Sequence, residues 1–337
     1  MISRWRFLTC FALLFLVCVW QTAPAFSLDN SETAKTSLQQ SLTELAARAR
    51  PGLLGITVLD LNTGAQVRIH ADRAYPMMSV FKASVAATVL AQVDAGHLSL
   101  EQKVTLTRAD VVDGSAVPSI GAHFHGDSMA FTVNELLSAA VSESDNTAAD
   151  ALVRLVGGPK VITAFLRSHG MEGMRVDLDE AGVDQIFQGT DHGEQIPADE
   201  TAQETLARRR RGYRDYLSDP RNRTTPDAAA QLLKQLWKGQ LLSSVSTQHL
   251  LQLMYDQTVP HRLRAGLPGG VRLADKCGTS VSFEGETAAY NDIGIMTWPN
   301  GHTVIVAAFL TASRADKAER DALYADITRS VVRAVMH

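Results

Sequence analysis

The sequence predicts an α/β (α+β) protein, with an antiparallel sheet flanked by helices and built from both ends of the chain, and an all-helical lobe inserted between them. Near the first end, residues 53–61 and 66–70 are extended patterns around an Asn-Thr-Gly turn. Near the other end, residues 292–298 and 302–310 flank a Pro-Asn-Gly turn. Because hairpin strands pair antiparallel, we expect an antiparallel sheet.

The helical assignment rests on apolar residues that recur at helical spacing between the hairpins and after the second one. This spacing predicts a helix over residues 79–93, two helices over 133–155, one over 226–242 that opens with proline, and a last one over 316–336. Helices concentrated in the middle of the chain predict a lobe of their own.

The domain boundaries follow from this order of elements. Residues 26–76 and 262–337 are assigned to the α/β lobe, and residues 77–261 to the all-helical lobe. The helical lobe is expected to include an omega-like loop and a long insertion over about residues 175–223. Most of that insertion is polar, and we expect it to form a surface excursion in which Arg208 to Arg211 lie on a solvated helix face.

The first 25 residues have the organisation of an export signal. Arg4 and Arg6 form a basic head, residues 7–20 are uncharged and almost wholly apolar, and Ala23-Pro24-Ala25 is a small-x-small cleavage site. The apolar run is too short to span roughly 30 Å of hydrocarbon as a helix. We therefore expect a signal peptide over residues 1–25, a periplasmic or secreted protein, and no stable membrane association after cleavage. An uncleaved membrane anchor is the competing interpretation.

Composition narrows the possible partners and cofactors. The chain has 337 residues, a formal net charge of −4 and a pI of about 6.2, so its charge gives no reason to expect a nucleic-acid partner. Cleavage would remove Cys10 and Cys18 and leave Cys277 alone, which predicts no internal disulfide. No cofactor or metal is implied, and we expect a monomer.

The first candidate for catalysis is Ser79-Val80-Phe81-Lys82, at the start of a predicted apolar helix. Residues three apart share a helix face, so the hydroxyl and the amine are expected within hydrogen-bond reach. A serine needs a base to become nucleophilic, and a partly buried lysine can serve. Taken alone the pattern is common, and a surface serine beside a solvated lysine is the competing interpretation.

Two further motifs follow in the chain. Ser144-Asp145-Asn146 lies between two predicted helices, where Asp145 is expected to cap the second helix while Ser144 and Asn146 point elsewhere. The second motif is Lys276-Cys277-Gly278-Thr279, in an extended segment before the last hairpin. A lysine on a strand edge, followed by a glycine that admits close backbone approach, suits an extended acyl substrate with a carboxylate.

In this order, S-x-x-K, S-D-N and K-C-G resemble the S-x-x-K, S-D-N and K-T-G motifs of class A β-lactamases and penicillin-binding proteins. The stretches at residues 146–149, 224–226 and 267–268 are also similar to class A, and the similarity runs from about residue 53 to the C-terminus. The resemblance implies the β-lactamase/transpeptidase-like fold and a small-molecule β-lactam substrate.

The resemblance also implies roles for individual residues. Ser79 would be the acylated nucleophile, Lys82 would deprotonate it or relay its proton, and Ser144 would protonate the leaving nitrogen. Asn146 would bind the amide of the substrate side chain. The backbone N–H groups of Ser79 and Thr279, the latter next to Gly278, would form the oxyanion hole.

Two basic residues are implied in binding the substrate carboxylate. Lys276 would attract it directly. Arg262 lies upstream, near where some class A enzymes keep a second carboxylate-binding arginine, and a surface arginine is an equally good interpretation of it.

The deacylating base is expected at Glu180, at the place where the family has a glutamate on its omega-shaped loop. It would deprotonate the water that frees Ser79. An ordinary loop carboxylate is the competing interpretation, since acidic residues surround it.

Three residues depart from the family pattern. Asp184 replaces an asparagine, and a second acid near Glu180 is expected to raise one carboxyl pKa. Leu178 replaces an arginine that pins the loop by a salt bridge. Cys277 replaces threonine or serine, and since a thiol is a weak hydrogen-bond donor, weaker carboxylate binding is expected. Slow turnover or an unusual substrate range would follow.

Three alternatives remain open. His123 to Asp127 spells H-x-H-x-D, a metal motif of the unrelated metallo-β-lactamases, but it does not follow a buried strand, so we interpret it as coincidence. A D-alanyl-D-alanine peptidase shares the three motifs and needs no deacylating glutamate. A penicillin-binding protein that acylates without turnover, such as a penicillin sensor, is the third. Glu180 argues against the last two.

Overall fold

The computed structural model describes residues 26–190, 196–259 and 261–336, with side chains from residue 32 onward. The predicted signal peptide over residues 1–25 lies outside the described residues. In the described segments no helix combines the length and the hydrophobicity needed to traverse a bilayer.

The described segments contain ten α-helices and ten strands. The helices are α1 (Phe26–Arg48), α2 (Lys82–Asp94), α3 (Val133–Ser142), α4 (Asn146–Leu155), α5 (Pro159–Ser168), α6 (Glu180–Gln188), α7 (Ala202–Ser218), α8 (Pro226–Trp237), α9 (Ser244–Tyr255) and α10 (Lys317–Val335). The strands are β1 (Leu53–Asp60), β2 (Gln66–Ile69), β3 (Tyr75–Pro76), β4 (Lys103–Thr107), β5 (Ser128–Thr132), β6 (Arg223–Thr224), β7 (Arg272–Thr279), β8 (Ser282–Phe283), β9 (Glu286–Thr297) and β10 (Thr303–Ser313).

The main sheet has six strands in the order β2-β1-β10-β9-β7, with β8 also paired to β9, and every pairing is antiparallel. Strands from the two ends of the chain meet where β1 pairs with β10, for example Ile56 opposite Ala308. Local alternation and turn residues form each hairpin, and this central pairing joins them. The predicted fold class is confirmed.

Two hydrophobic cores lie on opposite faces of the sheet. On one face, Leu42 of α1 and Ile327 of α10 pack with Ile56 and other alternate residues of the strands. On the other face, Ile295 and Phe309 pack with the helices of the inserted lobe. Because both faces are covered, the middle of β1 and almost the whole length of β9 and β10 are buried.

The structure also contains elements that the sequence analysis did not predict. Helix α1 precedes the first strand, and its buried residues Leu38, Leu42 and Leu45 repeat at helical spacing within an otherwise polar segment. A two-stranded sheet, β4 with β5, lies within the helical part of the chain.

The insertion is also more structured than expected. Seventeen of its residues form α7, whose buried face carries Tyr213 and Tyr216. The expectation of a solvated arginine run is wrong for Arg208. That side chain is buried and pairs with Glu200 at 2.7 Å, whereas the next three arginines are exposed.

Candidate active site

The nucleophile candidate Ser79 lies in a short 3₁₀ turn, Met78–Phe81, that runs directly into α2. Lys82, the first residue of α2, is 0% exposed, and its Nζ donates to Ser79 Oγ at 3.1 Å. The three-residue spacing therefore does bring the amine to the hydroxyl. Met78, immediately before Ser79, has a left-handed backbone with φ of +45°.

The S-D-N motif lies between α3 and α4 and faces Lys82. Lys82 Nζ donates to the Ser144 carbonyl at 2.8 Å and to Asn146 Oδ1 at 2.7 Å. Asp145 caps α4 by accepting from the Ala148 N–H at 2.8 Å, as the sequence predicts. Because the Asp145 side chain forms the cap, Ser144 and Asn146 are free to contact Lys82.

Strand β7 supplies the third motif. Lys276 is 0% exposed, and its Nζ donates to Ser144 Oγ at 2.9 Å. Burial lowers the pKa of Lys276 to about 8, and the nearby charge of Lys82 acts in the same direction. The Ser144 hydroxyl therefore lies between two buried amines and can move a proton between them.

Gly278 allows β7 to approach the nucleophile turn. A Cβ at this position would lie 2.5 Å from Met77 O and 3.1 Å from the Ser79 nitrogen, so only glycine fits. The turn is held from two more sides. Asn291 Nδ2 of β9 donates to Pro76 O at 2.7 Å, and the Met77 N–H donates to Asn222 O at 3.1 Å.

Arg262 is 5% exposed, so the surface-arginine interpretation is wrong. Its guanidinium donates to Gly278 O at 3.2 Å, to Asn291 O and to Thr279 Oγ1. Arg262 thus places a buried positive charge beneath the end of β7. Cys277 is buried on the same strand and lies opposite Asp292 of β9.

Glu180, the first residue of α6, reaches the same hydroxyl from the opposite side. Ser79 Oγ donates to Glu180 Oε1 at 3.2 Å, and Lys82 Nζ forms a 2.9 Å ion pair with that oxygen. Glu180 is 5% exposed. The Ser79 hydroxyl therefore contacts the buried amine of Lys82, which follows it in the same helical segment, and the buried carboxylate of Glu180, which comes from a distant part of the chain.

Asp150 is a residue that sequence reasoning missed. It lies in α4, and its carboxylate accepts the Glu180 N–H at 2.7 Å and the Ala181 N–H at 3.0 Å. Burial, with the nearby Asp179 charge, raises the pKa of Asp150 to about 7. An acid at a buried position of an amphipathic helix is the one signal the sequence offered. Asp150 anchors the start of α6 and with it the Glu180 backbone.

Residues 177–178 and Asn222 meet where the omega-like loop begins and ends, and we call this place the neck of the loop. The neck is closed without the arginine that Leu178 replaces. Asn222 Oδ1 accepts the N–H groups of Asp177 at 2.7 Å and Leu178 at 2.9 Å, and Asn222 Nδ2 donates to Leu178 O at 2.9 Å. Asn222 has a φ of +49°, a conformation that asparagine tolerates better than most residues. An amide therefore closes the neck through backbone groups.

Asp184 lies one helical turn after Glu180. Burial raises the pKa of its carboxyl, and Gln188 Nε2 donates to its Oδ1 at 3.4 Å. The pKa of one carboxyl is therefore raised, but burial is the main cause and the charge of Glu180, the expected cause, contributes least among those acting on it.

The histidines of the H-x-H-x-D stretch bond to backbone. His123 Nδ1 lies 2.8 Å from Ser119 O, and His125 Nδ1 lies 3.1 Å from His123 O. Within residues 26–190, 196–259 and 261–336, no group of three or more His, Cys, Asp or Glu side chains is arranged to hold a metal ion.

Lys82 and Glu180 thus contact one serine hydroxyl, and the S-D-N and K-C-G motifs lie beside them, within a fold made of an antiparallel sheet and an inserted helical lobe. This combination defines the class of serine enzymes that carry S-x-x-K, S-D-N and K-T-G motifs, which includes β-lactamases and penicillin-binding proteins. Comparison with known proteins narrows the class further. The model of the β-lactamase enzyme family matches residues 37–335, and the chain belongs to this family as a class A serine β-lactamase.

Individual relatives agree with this assignment. The chain is 32% identical over 306 residues to the extended-spectrum β-lactamase PER-1 of Pseudomonas aeruginosa, covering 90% of each chain. It is similar to the solved β-lactamase of Chitinophaga pinensis, with a TM-score of 0.75 and 30% identity over 88% of this chain and 99% of that one. An ancestral class A β-lactamase, GNCA, has a TM-score of 0.71 and 38% identity, covering 88% and 99% of the two chains. Family membership supports β-lactam hydrolysis.

Proposed function

We propose that the protein hydrolyses β-lactams through an acyl-enzyme on Ser79, which is released by a water that Glu180 activates. The observation that carries the proposal is the position of Ser79 Oγ, 3.1 Å from Lys82 Nζ and 3.2 Å from Glu180 Oε1. Lys82 can take the serine proton directly when the ester forms, and Glu180 can take the proton of the water that hydrolyses it.

In acylation, a proton moves from Lys82 to Glu180 across their 2.9 Å contact and leaves a neutral amine. Ser79 Oγ attacks the lactam carbonyl carbon and gives its proton to that amine. As the lactam C–N bond breaks, the nitrogen takes a proton from Ser144, which regains one from Lys82. Glu180 then returns its proton to Lys82, so the net transfer is from the serine hydroxyl to the nitrogen.

In deacylation, the Glu180 carboxylate takes a proton from a water that attacks the ester carbonyl. The bond between Ser79 Oγ and the acyl carbon breaks, and Glu180 returns the proton to Ser79. Asp150 supports this step because it binds the Glu180 N–H and so fixes the start of α6. The buried charge of Lys276 is suited to the substrate carboxylate, and Asn146 to the side-chain amide.

The test compares wild type, Ser79→Ala and Glu180→Gln. Nitrocefin turnover gives the rate, and mass spectrometry after incubation with benzylpenicillin gives the acylated fraction. We expect Ser79→Ala to form no adduct, and Glu180→Gln to lose about 10²–10⁴-fold in turnover while the adduct accumulates. Glu172→Gln changes an exposed acid elsewhere on the lobe, so it serves as the control and should behave like wild type.

Two outcomes would contradict the mechanism. Glu180→Gln turnover equal to wild type would exclude Glu180 as the deacylating base. A wild-type protein that only accumulates stoichiometric adduct would favour the peptidase or the non-turnover penicillin-binding alternative.

We further propose that residues 1–25 direct export and are then removed. The basic head, the apolar run and the small-x-small site support this. N-terminal sequencing of protein recovered from a bacterial periplasm should begin at Phe26. A full-length N-terminus would contradict the proposal.

A further inference from the structure

The inserted helix α7 places one side chain against the nucleophile turn. Tyr216 is 3% exposed, and its hydroxyl donates to Met78 Sδ at 2.8 Å. Met78 immediately precedes Ser79 and has a left-handed φ of +45°. A non-glycine residue keeps such a conformation only where the surrounding structure holds it. Tyr216 therefore contacts the residue whose backbone sets the position of Ser79.

The same tyrosine also packs against the helix that carries Glu180. The ring centroids of Tyr216 and Phe187 are 4.0 Å apart, and Phe187 belongs to α6, whose first residue is Glu180. Arg223 fixes the tyrosine in turn, since its guanidinium lies 5.2 Å from the ring centroid and donates to the Tyr216 carbonyl. The buried Tyr216 side chain thus contacts both the residue before Ser79 and the helix that begins with Glu180.

The nucleophile turn and α6 are distant in sequence, whereas Ser79 and Lys82 lie in consecutive turns of one continuous helical segment. The distance from Ser79 to Lys82 is therefore set locally. The distance from Ser79 to Glu180 depends on tertiary packing between the nucleophile turn and α6. Displacements of about 1 Å between reacting groups can cost roughly 10²-fold in rate.

We propose that Tyr216 is a positioning residue that sets the separation between Ser79 and Glu180, and that the inserted helix thereby controls deacylation more than acylation. The proposal rests on the proposed function, since in that mechanism Glu180 acts directly on the water in deacylation and only through Lys82 in acylation. The packing of the ring on Phe187 carries most of this effect, and the hydroxyl contact with Met78 carries a smaller part, because a thioether is a weak acceptor.

The experiment measures the acylation and deacylation constants separately, by quenched-flow mass spectrometry of the acyl-enzyme with benzylpenicillin. Tyr216→Leu removes the hydroxyl and the ring, whereas Tyr216→Phe keeps the ring. We expect Tyr216→Leu to lower the deacylation constant about tenfold or more, with an effect on acylation at least fivefold smaller. Tyr216→Phe should restore deacylation to within about threefold of wild type, because a thioether is a weak acceptor and ring packing dominates.

Tyr213→Phe is the matched control. Tyr213 lies on the same buried face of α7, but its hydroxyl donates to Glu286 and its ring centroid lies 6.4 Å from that of Phe187. It should leave both constants unchanged. If Tyr216→Leu is not folded at the assay temperature, Phe187→Leu removes the packing from the α6 side and should give the same selective loss of deacylation.

Equal losses in both constants, or no loss in either, would overturn the positioning role. The same selective loss in Tyr213→Phe would also overturn it, because the effect would then belong to α7 as a whole. Failure of the proposed function is distinguishable, since wild type itself would then give no adduct or no turnover.

Discussion

Lys82 Nζ and the Glu180 carboxylate form a 2.9 Å ion pair that is almost wholly buried, with the two side chains 0% and 5% exposed. The two residues are 98 positions apart in the chain. Each is also hydrogen-bonded to Ser79, the proposed nucleophile, so the three side chains form one hydrogen-bonded group. Because a buried charge without its partner is costly, this pair of proposed catalytic groups also contributes to stability.

Removing the lysine should therefore destabilise the protein. We expect Lys82→Met to lower the free energy of unfolding by about 3–5 kcal/mol, since Glu180 keeps a buried charge without its cation. The double variant Lys82→Met/Glu180→Gln should recover part of that loss because no unpaired charge remains. Urea denaturation at pH 7 measures both. A double variant no more stable than the single one would contradict this account.

Activity should fall at alkaline pH through Lys276. Its pKa of about 8 means that the side chain is charged below that pH and neutral above it. We expect kcat/KM for carboxylated β-lactams to decrease above about pH 8. The decrease should come from a higher KM, because the neutral amine no longer attracts the carboxylate. Lys276→Arg, which stays charged, should move this limb to higher pH. Identical pH profiles in the two proteins would assign the limb to another group.

The loop neck should depend on Asn222. Asn222→Ala removes the acceptor for two backbone N–H groups and places alanine at a φ of +49°. We expect a loss of about 2–4 kcal/mol in the free energy of unfolding and slower deacylation, because the neck anchors the segment that leads to Glu180. Asn222→Asp keeps the acceptor oxygens and should lose less. Thermal melts and acyl-enzyme lifetimes test this, and an Asp variant as damaged as the Ala variant would contradict it.

Cys277 should limit carboxylate binding. We expect Cys277→Thr to lower KM for carboxylated lactams, because a hydroxyl donates a stronger hydrogen bond than a thiol. Cys277→Val is the control, because valine has nearly the shape of threonine but lacks the hydroxyl. We expect this variant to keep or raise KM. The measurement is steady-state kinetics on benzylpenicillin.

Cys277 also lies opposite the buried Asp292, whose Oδ1 has no hydrogen-bond partner. If Cys277→Thr raised the melting temperature and left KM unchanged, its hydroxyl would be bonding Asp292, and the carboxylate-binding role would be excluded.

The terminal hairpins and the motifs could be predicted because their signals are local. Strand alternation, the Asn62-Thr63-Gly64 turn and the three-residue spacing of Ser79 and Lys82 each depend on neighbouring residues. Helix α1 could have been found by the same means, since Leu38, Leu42 and Leu45 repeat at helical spacing. The polar residues around them weaken that signal.

The supports of Glu180 could not be predicted in this way. Asp150 is an ordinary acid in the sequence, and its role appears only when α4 meets the start of α6. Leu178 showed that the loop lacked its usual arginine, but nothing nearby in the chain indicated that Asn222, 44 residues later, closes the neck. Helix α7 of the insertion packs its tyrosines inward, because Phe187 and Met78 form an apolar surface there.

By itself, then, the amino-acid chain predicted the hairpins near its two ends, the candidate reactive groups and the family to which they are similar. Tertiary structure alone decided how Glu180 reaches Ser79, what anchors it, and that Arg262 lies buried beneath β7. The physical reason is that helix spacing and strand alternation are encoded within a few residues. Burial, pKa and the distance between remote side chains depend on contacts that form only when separate segments pack together.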